Sequence, residues 1–248
     1  MKLNEFFAVH SKAAIAFSGG VDSAYLLYAA RQSGAEVQAY YVKSAFQPRF
    51  EQDDAIRISD GLDIPMRVLK VDVLSAKAIT DNPSERCYYC KRMIFEAIWK
   101  AAAEDGFPVL LDGTNASDDV KDRPGMRALR ELSVLSPLRE CGLTKAEIRR
   151  RSQEAGLFTW DKPAYACLAT RIPTGEQITE EKLRKTERAE NFLFSLGLTD
   201  FRVRRMGDAA RLQVPAEQIV KVIENRESIL AELKRSYPAV LLDLEARE

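Results

Sequence analysis

Ala13-Ala14-Ile15-Ala16-Phe17 runs directly into Ser18-Gly19-Gly20-Val21-Asp22-Ser23, and apolar residues then recur at Ala24, Tyr25, Tyr28 and Ala29 before Gly34. The apolar run reads as a buried strand, the glycines as a tight turn, and the remainder as an amphipathic helix with its stop signal. Gly19 and Gly20 can take backbone angles closed to other residues and let a ligand approach the main chain. The N–H groups of the first helical turn then face that ligand with the positive end of the helix dipole behind them, which suits an anion. Ser18 and Ser23 add hydroxyls. Asp22 would repel a bare phosphate, so a Mg2+ ion between it and the anion is expected. The stretch reads as a phosphate cradle.

It is not a Walker loop, which needs a longer glycine loop ending in Gly-Lys-Ser/Thr, nor is it Gly-x-Gly-x-x-Gly. An ordinary strand-to-helix turn can also carry two glycines. All six positions, with these flanks, resemble the PP-loop of the ATP pyrophosphatase superfamily. That resemblance implies that Ser18, Gly19, Gly20, Val21, Asp22 and Ser23 hold ATP, with Mg2+ on Asp22. It also implies that ATP is cleaved between its α and β phosphates to adenylate an oxygen.

Around this core, 248 residues suffice for one large domain or two small ones. Acidic and basic residues balance at 37 each, which argues against a broad nucleic-acid surface. Four cysteines are too few for a disulfide scaffold in a chain this long. Charges interrupt residues 1–12, so no signal peptide is expected there, and no apolar run approaches the ~20 residues of a membrane span. A reducing cytoplasm is the expected setting. The single histidine, His10, is expected in solvent, and a His-dependent triad is not expected.

Further strands are expected at 36–42, 65–71 and 109–111, with helices at 50–62 and 87–103. Strands alternating with helices predict a parallel sheet covered on both faces, with ligands beyond the carboxyl ends of the strands. SGGVDS, Ser44 and Asp112-Gly113-Thr114-Asn115 each follow a strand there, so they are expected to converge. The polar stretch 118–142 is expected to be a flexible, irregular segment over the site. Thr144-x-x-Glu147 is a capping box, and Thr179 caps a further helix with Glu180 and Glu181 in its first turn. Strands at 201–204 and 211–214, one helix over 216–234 and a strand at 239–244 complete a small α+β domain. The expected division is 1–171, an α/β Rossmann-like parallel sheet, and 172–248, the smaller α+β domain.

Cys87 and Cys90 are three residues apart at a helix start, so they share a face, with Lys91 beside Cys87. A helix N-terminus and a neighbouring ammonium both favour thiolate. The pair is open to a redox role, half of a zinc site or two ligands of an iron–sulfur cluster. Zinc needs four N or S ligands, so it would require both Cys141 and Cys167 as well. Three cysteines around a cluster would leave one iron to hold a hydrosulfide. Cys167 lies in a proline-bracketed loop with Arg171 four residues on, while Cys141, before Gly142, is expected only to pack or to be exposed.

SGGVDS, NPSERCYYCK, DGTN, DDVKDRPG, SPLRECGLTKAEIR and WDKPAYACLATRIPTG together resemble the LarE family over nearly the whole chain. Members are ATP-dependent sulfurtransferases of nickel-pincer nucleotide biosynthesis. The resemblance implies that a carboxylate of pyridinium-3,5-dicarboxylate mononucleotide attacks the α-phosphate of ATP, releasing pyrophosphate. The acyl-adenylate then becomes a thiocarboxylate as AMP leaves, and the second carboxylate follows. Two sulfur sources occur in the family: sacrifice of the cysteine matching Cys167, or a [4Fe–4S] cluster on residues matching Cys87, Cys90 and Cys167. The Cys87–Cys90 pair places this chain with the cluster branch, which needs a sulfide donor. Homo-oligomers are implied too. The family often reads CLASRIPYG where this chain has CLATRIPTG, and Thr170 keeps the hydroxyl.

Arg202 and Arg204 alternate to one face of a strand and could grip a phosphate bidentately, or simply line a solvated sheet. The resemblance assigns them, with Glu190, to the substrate phosphate. It sets Lys91 and Arg171 near the nucleotide, where positive charge would stabilise the α-phosphate transition state. Ser44, Gly113 and Asn115, beyond the strand ends, are expected ATP-binding residues, and Arg123 and Asp119 are further candidates on the polar segment. A PP-loop tRNA-thiolating enzyme is the competing reading, but it would need a tRNA-binding surface. A non-catalytic ATP-binding regulator of the same fold would leave the cysteines unexplained.

Overall fold

The computed structural model describes residues 2–118 and 124–247. The chain divides into two units, one of residues 1–73 and 85–162, the other of residues 74–84 and 163–248.

In the first unit the order is α1 (Leu3–Val9), β1 (Lys12–Ala16), α2 (Val21–Gln32), β2 (Glu36–Lys43), α3 (Arg49–Gly61) and β3 (Met66–Lys70). The short α4 (Lys77–Thr80) belongs to the second unit. The chain then returns with α5 (Arg86–Glu104), β4 (Leu110–Leu111), α6 (Pro124–Glu131), α7 (Pro137–Glu140) and α8 (Lys145–Glu154). The strands form one sheet in the order β3-β2-β1-β4, and every pair is parallel. Ala13 and Ile15 pack to one face with Ala24, Leu27 and Ile148. Ala14 packs to the other with Phe95, Ile98 and Ala102 of α5. Side chains alternate across a strand and both faces are covered, which is why Ala13 to Phe17 is apolar without interruption. The strand order reverses direction between β1 and β4, and such a switch point opens a crevice beyond the strand ends. The expected α/β Rossmann-like sheet is present.

The expectation of an irregular segment at 118–142 does not hold for its described part. α6 and α7 lie there, and Leu135 adds a parallel bridge to Leu111. The reason is amphipathicity: Ala128 and Leu129 are buried beside α5, while Arg127 and Arg130 stay outside. His10 is half-buried rather than solvated, its ring 4.5 Å from that of Phe6. No helix among the described residues is long and apolar enough to cross a membrane.

The second unit holds α9 (Glu180–Ser195), β5 (Arg202–Met206), β6 (Ala209–Gln213), α10 (Ile219–Glu224), α11 (Arg226–Leu233) and β7 (Val240–Leu242). β5 pairs antiparallel with β6, and β6 pairs parallel with β7. Its core gathers Leu193, Phe201, Val203, Leu212, Ile229, Leu233 and Tyr237. The single helix expected over 216–234 is broken at Asn225, whose side-chain amide donates to the Lys221 carbonyl at 2.8 Å. An asparagine that bonds the preceding turn competes with helix propagation. Residues 74–84 join this unit through hydrogen bonds. Ile178 N–H donates to Thr80 O and Gly175 N–H to Asn82 O, both at 2.8 Å. The side-chain amide of the buried Asn82 donates to Pro173 O at 2.7 Å and Glu176 O at 3.1 Å. The Cys167 loop, expected within the domain of residues 1–171, lies in the second unit, which takes up the chain again at 163.

Candidate active site

β1 ends against a turn that only glycine can make. Gly19 has φ 73°, in the left-handed region. A Cβ on it would also stand 3.0 Å from Glu51 O and 3.1 Å from Ala55 N of α3. Gly20, the N-cap of α2, has no side chain to cap the helix. The N–H groups of the first turn therefore find no partner within the helix and remain for a ligand. The serines close the turn on itself. Ser18 N–H donates to Ser23 Oγ (3.3 Å), the two hydroxyls lie 3.1 Å apart, and Ser23 Oγ–H donates to Gly20 O (3.2 Å).

The DGTN turn arrives at the same place from β4. A Cβ on Gly113 would stand 3.0 Å from Ser23 N and 3.2 Å from Ser23 Cα, so the two loops meet backbone to backbone. Buried Asp112 fixes this turn by accepting from the Thr114 hydroxyl (2.5 Å) and the Ser136 hydroxyl (2.6 Å). Asn115, also buried, accepts Ser117 N–H on Oδ1 (2.8 Å) and donates its own N–H to Asp118 Oδ2 (3.0 Å).

Lys145, the first residue of α8, reaches in as well, its Nζ 2.6 Å from Asp22 Oδ2. The other oxygen, Asp22 Oδ1, is buried with no hydrogen-bond partner among the described residues. Burial pushes the Asp22 carboxyl above the ordinary carboxylate range, against the pull of Lys145. A buried carboxylate oxygen without a partner is costly, and a divalent cation would satisfy it. Asp22 therefore fits the Mg2+ ligand expected of it.

Ser44 follows β2 as expected, but its hydroxyl organises its own turn, donating to Gln47 Oε1 (2.6 Å) and accepting Phe46 N–H (3.1 Å). Arg123 and Asp119 lie outside the described residues. Cys87, exposed, and Cys90, half-buried, sit in the opening turns of α5. The stem of Lys91 packs on Gly125 of α6, where a Cβ would come within 2.8 Å of Lys91 Cδ. Cys141 packs beside the first core, and burial pushes its thiol up. Among the described residues no three His, Cys, Asp or Glu side chains gather into a metal-binding group. The first unit supplies Cys87 and Cys90, and the second Cys167.

In the second unit the half-buried Cys167 precedes the 3-10 turn Leu168–Arg171. Fully buried Arg171 donates Nε to Glu190 Oε1 (2.8 Å) and Nη2 to Glu190 Oε2 (3.1 Å). Its Nη1 serves Ala166 O and Thr170 Oγ1, both at 2.8 Å. Burial works against the Arg171 charge, yet Glu190 holds it above its usual value. Glu190 also accepts Val203 N–H (3.0 Å) and the Tyr165 hydroxyl. Arg202 donates to Ala164 O (2.5 Å) and Phe201 O (2.7 Å), and Arg204 to Thr170 O (2.9 Å) and Gln213 Oε1 (2.5 Å). Burial, with Arg171 and Arg247 nearby, lowers the Arg202 pKa to about 10, and Arg204 is lowered by the same kind of surroundings.

The sequence brought SGGVDS to DGTN and placed Arg202 with Arg204, but it missed Lys145, Ser136 and Tyr165. Thr144-Lys145 carried only a capping signal, and nothing local tells which charge a lysine will meet 123 residues away.

Residues 12–85 match the family described as queuosine biosynthesis protein QueC. An uncharacterized protein of Synechocystis sp. is 36% identical over 98% of this chain and 92% of its own length. The pyridinium-3,5-bisthiocarboxylic acid mononucleotide synthase of Lactiplantibacillus plantarum is 31% identical over 93% of this chain and 84% of its own. An uncharacterized protein of Methanocaldococcus jannaschii is 30% identical over 95% and 90%. Similarity that runs through both units, and not through the phosphate turn alone, makes this chain a member of the LarE family and an ATP pyrophosphatase-type sulfurtransferase.

Proposed function

We propose that the protein adenylates the carboxylates of pyridinium-3,5-biscarboxylic acid mononucleotide and converts them to thiocarboxylates. The observation that carries this reading is the uncapped start of α2, where Gly113 backs the turn and Asp22 keeps a buried, unsatisfied oxygen. A substrate carboxylate oxygen bonds to the α-phosphorus as the bond to the bridging oxygen breaks and pyrophosphate leaves. The α2 N–H groups bind and orient the phosphates, and Asp22 holds Mg2+, which supplies charge neutralisation when bound. Hydrosulfide then bonds to the acyl carbon and AMP departs. Lys91 and Arg171 are proposed nucleotide-side residues, and Ser44, Gly113, Asn115 and Arg123 the rest of the ATP site. Arg202, Arg204 and Glu190 form the proposed site for the substrate phosphate.

For the sulfur source, the proposed set is Cys87, Cys90 and Cys167 around a [4Fe–4S] cluster fed by a sulfide donor. When bound, such a cluster leaves one iron open for hydrosulfide. A second reading, in which Cys167 gives up its own sulfur, needs only that half-buried cysteine of the second unit. The balanced charge disfavours a tRNA substrate. A cytoplasmic homo-oligomer is the proposed setting.

Iron and acid-labile sulfide, measured after anaerobic purification of the wild type and of Cys87→Ala, Cys90→Ala and Cys167→Ala, separate the two sources. Four irons lost in every variant support the cluster. No iron under any condition, with a Cys167 residue lighter by one hydrogen sulfide molecule after turnover, establishes sacrifice. Asp22→Ala is expected to abolish pyrophosphate release, and unchanged release would overturn the role of that carboxylate.

A further inference from the structure

The antiparallel register of β5 and β6 sets Arg204 directly opposite Arg211. Residues paired in this way point to the same side of a sheet, and like charges so placed repel each other. The other side carries Val203, Ala210 and Leu212 into the core with Leu193 of α9 and Ile229 of α11. The arginine side is the open one: Met206 and Leu241, which share it, are 55% and 42% exposed. The two arginines are held very differently. Arg204 donates Nε to Gln213 Oε1 and Nη1 to Thr170 O, which leaves Nη2 without a partner among the described residues. Arg211 makes no hydrogen bond among those residues. Its buried Nε stands 3.5 Å from Asp243 Oδ2 in a loose ion pair. That carboxylate already accepts from Gln213 Nε2 (2.9 Å) on the same oxygen and from Glu245 N–H (3.3 Å) on the other.

Positive charge gathers around this pair. Arg171 and Arg247 act on Arg204 along with Arg211, and Glu190 is the carboxylate that answers them. A guanidinium presents five N–H groups in a planar fork that matches a phosphate. Leaving that fork unsatisfied on a half-buried face is unfavourable, and a second guanidinium opposite adds to the cost. A phosphate monoester carries about 1.5 to 2 negative charges at pH 7 and three acceptor oxygens, so it relieves both penalties at once. Directly opposed residues have Cβ atoms about 4.5–5.5 Å apart, close enough for two guanidinium groups to bond to different oxygens of one phosphate. We propose that Arg211 is the open arm of the substrate-phosphate site. It takes the phosphate of the mononucleotide together with Nη2 of Arg204, and so makes the enzyme select a nucleotide over a nucleoside. This rests on the reading of the sheet as the site for the substrate phosphate, and it extends that site from β5 to β6.

The test is calorimetric and independent of turnover. The full chain, as wild type, Arg211→Gln and Arg211→Lys, is titrated with pyridinium-3,5-biscarboxylic acid mononucleotide and with the corresponding nucleoside, which lacks the phosphate. Loss of one charged contact to phosphate is expected to weaken mononucleotide binding by Arg211→Gln about 10- to 100-fold. The nucleoside is expected to bind all three proteins alike. Arg211→Lys, a point charge in place of a fork, is expected to fall between the other two. Equal weakening of both ligands in Arg211→Gln would overturn the proposal, because Arg211 would then only support the sheet. Unaltered mononucleotide binding would overturn it too, while leaving the phosphate site to Arg202 and Arg204. A wild type that binds mononucleotide and nucleoside equally would remove the phosphate site itself, and the proposal with it. Should Arg211→Gln fail to fold, Arg211→Met, which keeps the apolar stem, enters the same titrations with the same expected outcomes.

Discussion

The phosphate turn after β1 and the loop around Cys167 are built on opposite plans. In the first, backbone donors at the start of α2 are left uncapped, glycines bring two loops within contact, and a carboxylate oxygen is buried with no bond among the described residues. In the second, polar groups are spent. Arg171, Arg202 and Arg204 donate to the carbonyls of Ala164, Ala166 and Thr170, and Glu190 answers Arg171 with both oxygens. A surface meant to receive a ligand keeps unsatisfied groups whose cost the ligand relieves. A surface meant to hold one residue still satisfies them in advance. By this reasoning the arginines of β5 fix the Cys167 loop whatever else they bind.

Removing the centre of the satisfied region is the strongest way to break the contrast. Glu190→Ala leaves Arg171 buried and uncompensated, which is expected to cost about 3–5 kcal/mol. Urea unfolding followed by a probe in the second unit should register the loss, while a probe in the first unit holds. Equal loss at both probes would erase the distinction. Gly113→Ala attacks the open region instead. Its Cβ would press on the backbone of Ser23 at 3.0 Å, and overpacking of this kind costs about 1–3 kcal/mol. Most of that cost should appear as ATP affinity lowered on the order of tenfold, which calorimetry reads directly, with a smaller change in the unfolding midpoint.

Acid offers the gentlest distinction. Although burial pushes the other way, bonds from Lys182 and Arg205 hold Glu176 below the ordinary carboxylate range. A lowered folded pKa contributes stability that is present above the unfolded value and lost as pH falls through the folded one. Below about pH 4.5, the usual value for a glutamate, the protection of the amides at residues 174–178, taken against their intrinsic exchange rates, should fall as Glu176 takes up its proton. Unchanged protection of these amides down to about pH 3 would mean that this ion pair does not hold the loop.

What the sequence made legible follows the same division. Strand-to-helix turns, caps at Thr144 and Thr179 and the Gly19–Gly20 turn are local, so their physics lies within a few residues of chain. The parallel sheet follows from Ala13 to Phe17 being apolar on both faces. The satisfied region was far less legible, because its partners are distant in the chain and chemically ambiguous. Arg171 shows the difficulty, since an arginine that is buried and one that is exposed look alike in sequence. Glu190, on the polar-rich α9, would have been taken for a surface residue without the family resemblance. The helix α6 was hidden for another reason: it opens on Pro124-Gly125, which reads as a turn, and the packing of Ala128 and Leu129 beside α5 decides for order.

Asn82 bears on how the chain is made. Its buried side-chain amide serves the carbonyls of Pro173 and Glu176, yet it precedes them by 91 and 94 residues. During synthesis a ribosome therefore delivers residues 74–84 long before the loop they complete exists. Until residues 163–178 emerge, this short segment has no home, although the strands on either side of it can already pair. The second unit is finished only by a part of the chain made early and kept waiting, so a fragment that starts at Pro163 would lack the residues that close its first loop.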